Sequence, residues 1–260
     1  MGDLFSNQTE LPWLNSNEKS WKKITQNNKT PHAILISGNR GIGKRAFAAW
    51  LATEHLDITT KYKGCIYPFA VPSHADLKWI RPNEGKRDIS VDQIRQIIDD
   101  LSMSSYEGIG KVTVIEPVNK MNISSANSLL KILEEPPGNT LIILIADKMK
   151  NIPATIISRC QHIKIYPPNE DESREFINHI HPDANIGKID PYILVSPLIY
   201  EEQNNHSQNI ESIINDLMSM LNKKNSPLDI AARLSVEEAE IFLDWFSYFV
   251  YSLLRNAHKS

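Results

Sequence analysis

The feature that most constrains this chain is the apolar run Ala33-Ile34-Leu35-Ile36, followed almost at once by Gly38-Asn39-Arg40-Gly41-Ile42-Gly43-Lys44. A strand that is apolar on both faces belongs in a parallel sheet covered by helices on each side. The glycines force a turn, and the next segment resumes at helical spacing, with Phe47, Trp50 and Leu51 on one face. Strand, glycine turn and helix make half of a βαβ unit, which excludes an all-helical or purely antiparallel start to the fold.

The pattern repeats downstream. Lys111–Glu116 and Thr140–Ala146 read as buried strands, and Leu77–Ile80 as a shorter one inside an otherwise irregular Pro- and Gly-rich insertion. Ser90 can cap a helix whose Val91, Ile94, Ile97, Ile98 and Leu101 form one stripe. A second helix runs through Ser124-Ser125-Ala126-Asn127-Ser128-Leu129-Leu130-Lys131, with its two serines expected at the opening turn. There, bare N–H groups would either be capped or meet an anion. Strands alternating with helices predict an α/β fold, a three-layer parallel sheet domain over residues 1–166. After Pro167-Pro168 the periodic segments are all helical, which predicts a small helical domain over 167–205 and a short all-α domain over 206–260. The aromatic stripe Phe242, Trp245, Phe246, Phe249 and Leu253 needs a cover, either the segment 210–222 or a neighbouring subunit.

Composition permits this and narrows the rest. At 260 residues and 41% hydrophobic, the chain can bury a sizeable core. A formal net charge of -3 gives no bulk reason to bind nucleic acid, so any such surface must be local. Cys65 and Cys160 are the only cysteines; they can build neither a disulfide framework nor a four-thiolate metal site, and a reducing cytoplasm fits them. The apolar stretch 241–254 is too short to span a bilayer and contains Asp244, so no membrane association is expected.

Gly38, Gly41, Gly43 and Lys44 match the GxxxxGK phosphate-binding pattern in its strand-to-helix setting, where backbone N–H groups and a lysine can surround phosphate oxygens. The bland alternative is a tight turn with an exposed lysine. Arg45 stands where a hydroxyl would ligate magnesium, and a guanidinium has no lone pair to offer. Glu116, at the end of the next core strand, can serve as one acid, but Pro117 supplies no base beside it. Nucleotide can sit in such a loop, and hydrolysis is not expected.

Two further strings carry a resemblance. Ala126-Asn127-Ser128-Leu129-Leu130-Lys131-Ile132-Leu133-Glu134-Glu135-Pro136-Pro137 resembles the ANALLKxLEEPP signature of the AAA+ clamp loaders, and Ser158-Arg159-Cys160 resembles their Ser-Arg-Cys motif. With the glycine loop ahead of both, the chain is identified as a member of the AAA+ clamp-loader family. The lost metal and base positions make it most similar to the delta-prime subunits of bacterial DNA polymerase III. The resemblance implies an AAA+ P-loop domain, a helical lid and a collar-like C-terminal domain, which is short here, either reduced or clipped. It implies a non-hydrolysing stator in a hetero-oligomer with gamma/tau motor subunits and a delta subunit, working on a sliding clamp and primed DNA. Arg159, flanked by Ser158 and Cys160, would be an arginine finger lent to an adjacent ATP site. No cofactor is required, although ATP or ADP can bind, and with only Cys65 and His74 in the region where many relatives carry four cysteines no zinc is expected. Two other readings stay open: an active P-loop ATPase, and a free-standing interaction module.

Overall fold

The computed structural model describes residues 8–26, 30–60, 63–184, 189 and 191–200, together with 226, 228, 243, 246, 247 and 250. The chain divides into two compact units, Met1–Pro168 and Asn169–Ser260.

The first unit is built on a five-stranded, wholly parallel sheet. Its strands are β2 (Ala33–Ser37), β4 (Leu77–Ile80), β5 (Lys111–Ile115), β6 (Thr140–Ala146) and β7 (Gln161–Lys164). They lie in the order β4-β5-β6-β2-β7. The central strands β2, β5 and β6 are buried at every residue, as their continuous hydrophobicity predicts. A separate two-stranded ribbon pairs β1 (Thr9–Glu10) with β3 (Ile66–Tyr67).

Helices cover both faces. On one, α3 (Val91–Ser102) and α4 (Ile123–Glu134) pack side by side. They bury Ile94, Ile97, Leu101, Leu129 and Leu133 against Leu35, Ile142 and Leu144. The alternate strand residues Ile34, Ile36, Ile143 and Ile145 point to the other face, where α2 (Lys44–His55) packs on β2, β5 and β6. The earlier helix α1 (Asn15–Gln26) buries Trp21 and sets Lys22 Nζ 5.5 Å above the Trp50 ring of α2.

The caps follow the sequence, with one correction. Ser90 caps α3 through a reciprocal capping box with Gln93. In α4 the cap is Asn122 rather than either serine: its side chain accepts the Ser125 N–H at 2.8 Å, and Ser125 is fully buried. An asparagine placed before Ile123 starts the helix one residue earlier and turns Ser125 inward, while Ser124 stays exposed in the opening turn.

In the second unit, α6 (Glu170–Ile180) carries an Asn169/Glu172 capping box. From Pro191 onward the expected helical run is interrupted. A single turn, α7 (Pro191–Leu194), gives way to a 3₁₀ turn over Pro197–Ile199, because Pro197 has no N–H to continue the ladder. Ser173 ties the pieces together by donating to the Leu194 carbonyl at 2.5 Å. The segment 210–222 and the aromatic stripe, apart from Phe246, lie outside the described residues, so the expectation about their cover does too. Among the described residues no helix is long and apolar enough to cross a membrane.

Candidate functional site

In an open parallel sheet, ligands bind beyond the carboxyl ends of the strands. The chain brings its charged groups together there. β2 runs directly into the glycine loop, with Gly38, Gly41 and Gly43 at φ values of +153°, +72° and +93°, and Gly43 stands at the N-cap of α2. From outside, Trp13 fixes the turn by donating its indole N–H to the Ile42 carbonyl at 2.9 Å.

Lys44 is buried and faces its own loop. Its ammonium donates to the carbonyls of Gly38 at 2.9 Å and Asn39 at 2.5 Å, and pairs with Asp147 Oδ1 at 2.6 Å. Burial pulls the Lys44 pKa below its ordinary 10.5, and the Asp147 carboxylate opposes that shift only in part. Asp147 is the first residue past β6, the strand next to β2. A carboxylate in that place competes with any phosphate for the same ammonium.

Glu116, the first residue past β5, is also buried. One of its oxygens is taken by Arg45 Nε; the other accepts from Trp79 Nε1 at 2.9 Å and from Arg81 Nε and Nη2 at 3.2 Å each. Both arginines reach it from the rim, so the carboxylate is enclosed by donors of three residues. This explains the odd residue at position 45. The guanidinium is the counter-charge of the buried Glu116 carboxylate. With no hydroxyl at 45 and the Glu116 oxygens occupied, the residues present do not fit a magnesium ion.

Arg159 lies elsewhere. Pro153 is the N-cap of the short helix α5 (Ala154–Ile157), and Ser158 and Arg159 carry the chain into the edge strand β7. The register sets Gln161 beside Ile34 and Lys164 beside Ser37, so Arg159 stands at the amino ends of the strands and the glycine loop at their carboxyl ends. Its guanidinium, about one-third exposed, pairs with Glu134 and donates from Nη1 to the Thr155 carbonyl at 3.0 Å. Cys160 packs against the core cluster, and burial pushes its thiol up to about 12; burial also raises Cys65.

Burial therefore disfavours the reactive thiolate of Cys160, which is partly buried, and of Cys65, which is fully so. We expect an aromatic disulfide reagent to leave both cysteines untouched in the folded chain and to titrate both in guanidinium. Rapid labelling of native Cys160 would contradict the burial. Around the other cysteine, Glu18 accepts the Cys65 N–H at 2.7 Å, while His74 Nε2 lies 3.3 Å from Glu107. Among the described residues no three His, Cys, Asp or Glu side chains converge as metal ligands.

The sequence reading found the loop, Glu116 and Arg159 but missed Trp79, Arg81, Asp147 and Glu134. Position offered the available signal: Arg81 and Asp147 each directly follow a strand readable from its apolar run.

Comparison with known proteins gives matching relatives. Residues 14–169 match the family described as DNA polymerase III, delta subunit. The chain is 28% identical to DNA polymerase III subunit delta' of Pseudomonas aeruginosa, over 94% of its own length and 77% of that protein's. It is 33% identical to DNA polymerase III subunit gamma of Buchnera aphidicola subsp. Schizaphis graminum, over 58% of this chain and 43% of that one, so it spans under half of that relative. Among solved structures, the Holliday junction branch migration motor RuvB of Thermotoga maritima aligns with a TM-score of 0.51 at 12% identity, over 86% of this chain and 68% of that one. At that identity the likeness is one of fold, an α/β domain on a five-stranded parallel sheet.

Proposed function

Because the chain belongs to the DNA polymerase III delta-subunit family, with delta' and gamma subunits of that polymerase among its relatives, we propose that it is the non-hydrolysing member of a replicative clamp loader. In this reading it serves as a stator and lends Arg159 to the ATP site of an adjacent gamma- or tau-type motor subunit. A delta-type subunit, the sliding clamp and primed DNA are the remaining partners. The role needs no nucleotide of its own, and one held in the loop would stay intact.

The observation that carries the reading is the enclosure of Glu116 by Arg45, Arg81 and Trp79. Hydrolysis needs a metal-facing acid and a base to activate water. Here the acid is tied up, and Pro117 stands where the base belongs. Arg159 favours action on a neighbour, because it occupies the opposite end of the sheet from the chain's own loop.

The test is ATP turnover by the purified chain. We expect a rate indistinguishable from that of Lys44→Ala, and no gain in Arg45→Thr, because Glu116 keeps Arg81 and Trp79 and still has no base beside it. Steady hydrolysis abolished by Lys44→Ala would replace this reading with that of an active ATPase.

A further inference from the structure

The partner of Arg159 is Glu134, the last residue of α4. A carboxylate in the final turn of a helix opposes the helix dipole, and here Glu135 follows it. An exposed ion pair adds little to stability, and holding an arginine still costs side-chain entropy. Stability is therefore a poor account of why these two groups meet.

The geometry suggests another. Nε and Nη2 of Arg159 both reach the same oxygen, Glu134 Oε1, the former at 2.6 Å. A single oxygen can meet those two nitrogens only along the side edge of the guanidinium plane. Nη1 donates to the Thr155 carbonyl within the arginine's own turn. Nη1 also reaches Ser158 Oγ at 3.4 Å, so of five N–H donors in a fixed fork the one these contacts leave is the second N–H of Nη2, directed off the tip. The side chain is thus anchored along its flank with its leading end still able to donate. The anchor is itself stiff. Glu134 has its backbone in the last turn of α4, the Glu135 N–H closes that turn on the Lys131 carbonyl, and two prolines follow.

We infer that Glu134 is a positioning residue: it holds the Arg159 guanidinium by its side edge so that the tip is presented to a phosphate on a neighbouring subunit. The inference rests on the finger reading above. A contact of this kind stabilises a transition state only when the group arrives in place, and misplacement by about 1 Å costs as much as 10²-fold.

The experiment uses the full chain assembled with the ATPase subunits of its own polymerase III complex. It compares Glu134→Ala, Glu134→Gln, Arg159→Ala and the double variant Glu134→Ala/Arg159→Ala. Turnover and KM for ATP are read in the complex, and the melting temperature in the chain alone. We expect Glu134→Ala to lower kcat about tenfold at unchanged KM and melting temperature. Glu134→Gln keeps an acceptor oxygen and should recover part of that rate. In the Arg159→Ala background, Glu134→Ala should add nothing.

Wild-type kcat in Glu134→Ala beside a slowed Arg159→Ala would overturn the positioning role and leave the finger standing. A further loss in the double variant would overturn it too, by showing that Glu134 acts through something else. If Arg159→Ala itself turns over normally, the finger reading fails and this inference falls with it.

Discussion

In the assembled complex, Arg159→Ala is expected to slow hydrolysis at the motor site it serves by on the order of 10³-fold, at the lower end of what such fingers contribute in GTPases. Within one subunit the residue has no target. From the level of Gln161 to that of Gly38 the chain spans four strand steps, roughly 13 Å at about 3.3 Å per residue. The guanidinium is turned instead toward Glu134. An arginine without work on its own loop, one-third exposed just before an edge strand, is suited to a phosphate brought by another subunit. Arg159→Lys should recover little, because an ammonium cannot take the flank contact and present a second N–H in the same plane. Single-turnover kinetics with the complex, scored against native mass analysis to verify assembly, gives the answer. A complete complex that runs at the wild-type rate without this guanidinium would end the proposal.

The second large effect concerns the loop. Gly38→Ala should destabilise the first unit by about 3 kcal/mol, from backbone strain and overpacking of about 1–3 kcal/mol each. At φ +153°, a Cβ there would come within 2.5 Å of Ile42 Cδ1 and 2.6 Å of the Ile165 carbonyl oxygen. The isoleucine can rotate, but the carbonyl belongs to the backbone leaving β7, whose Ile165 N–H is bonded to Ser37. With melting shifts of about 2–4 °C per kcal/mol for a chain of this size, the loss should read as roughly 6–12 °C. Gly85→Ala supplies the contrast. Its φ is +71° with nothing within 4 Å of the added carbon, so strain of about 1 kcal/mol is all it should show. Equal melting points for the two variants would mean that the loop is not held by this packing. The comparison separates two reasons for a glycine: closeness to phosphate, and closeness to the protein's own backbone.

The parts of the fold legible in the sequence were those whose burial is uniform. Ala33–Ser37, Lys111–Ile115 and Thr140–Ala146 are buried throughout and read as strands from apolarity alone. Ser90 and the α3 stripe were legible because a cap and a period of 3.6 occur together. The edge strand Gln161–Lys164 was not, since it has one strand neighbour, exposes three of its four residues and offers only Ile163 as an apolar signal. Helix α1 escaped for a similar reason: Trp21 is its one buried apolar side chain among Asn, Ser, Glu and Lys.

At the site, the glycine loop and Arg159 were found because their patterns are local in the chain. The Glu116 enclosure was not, because its donors come from positions 45, 79 and 81 and converge only when β4, β5 and α2 pack. Glu134 was read as part of a signature string, yet its contact with Arg159 crosses 25 positions and depends on where α4 ends. Spacing along a sequence cannot encode which carboxylate faces which guanidinium across a sheet.

The parallel sheet gives this molecule two unlike poles, a glycine loop at one and the Arg159 guanidinium at the other. Units of that kind engage front to back, each serving the next, and such contacts close into a ring or continue as an open row. A unit whose receiving pole is plugged by its own salt bridges can give without being given to. If Arg159 is the finger proposed above, such a unit belongs at an end of a row of otherwise similar neighbours, where one dependency begins and none is left hanging.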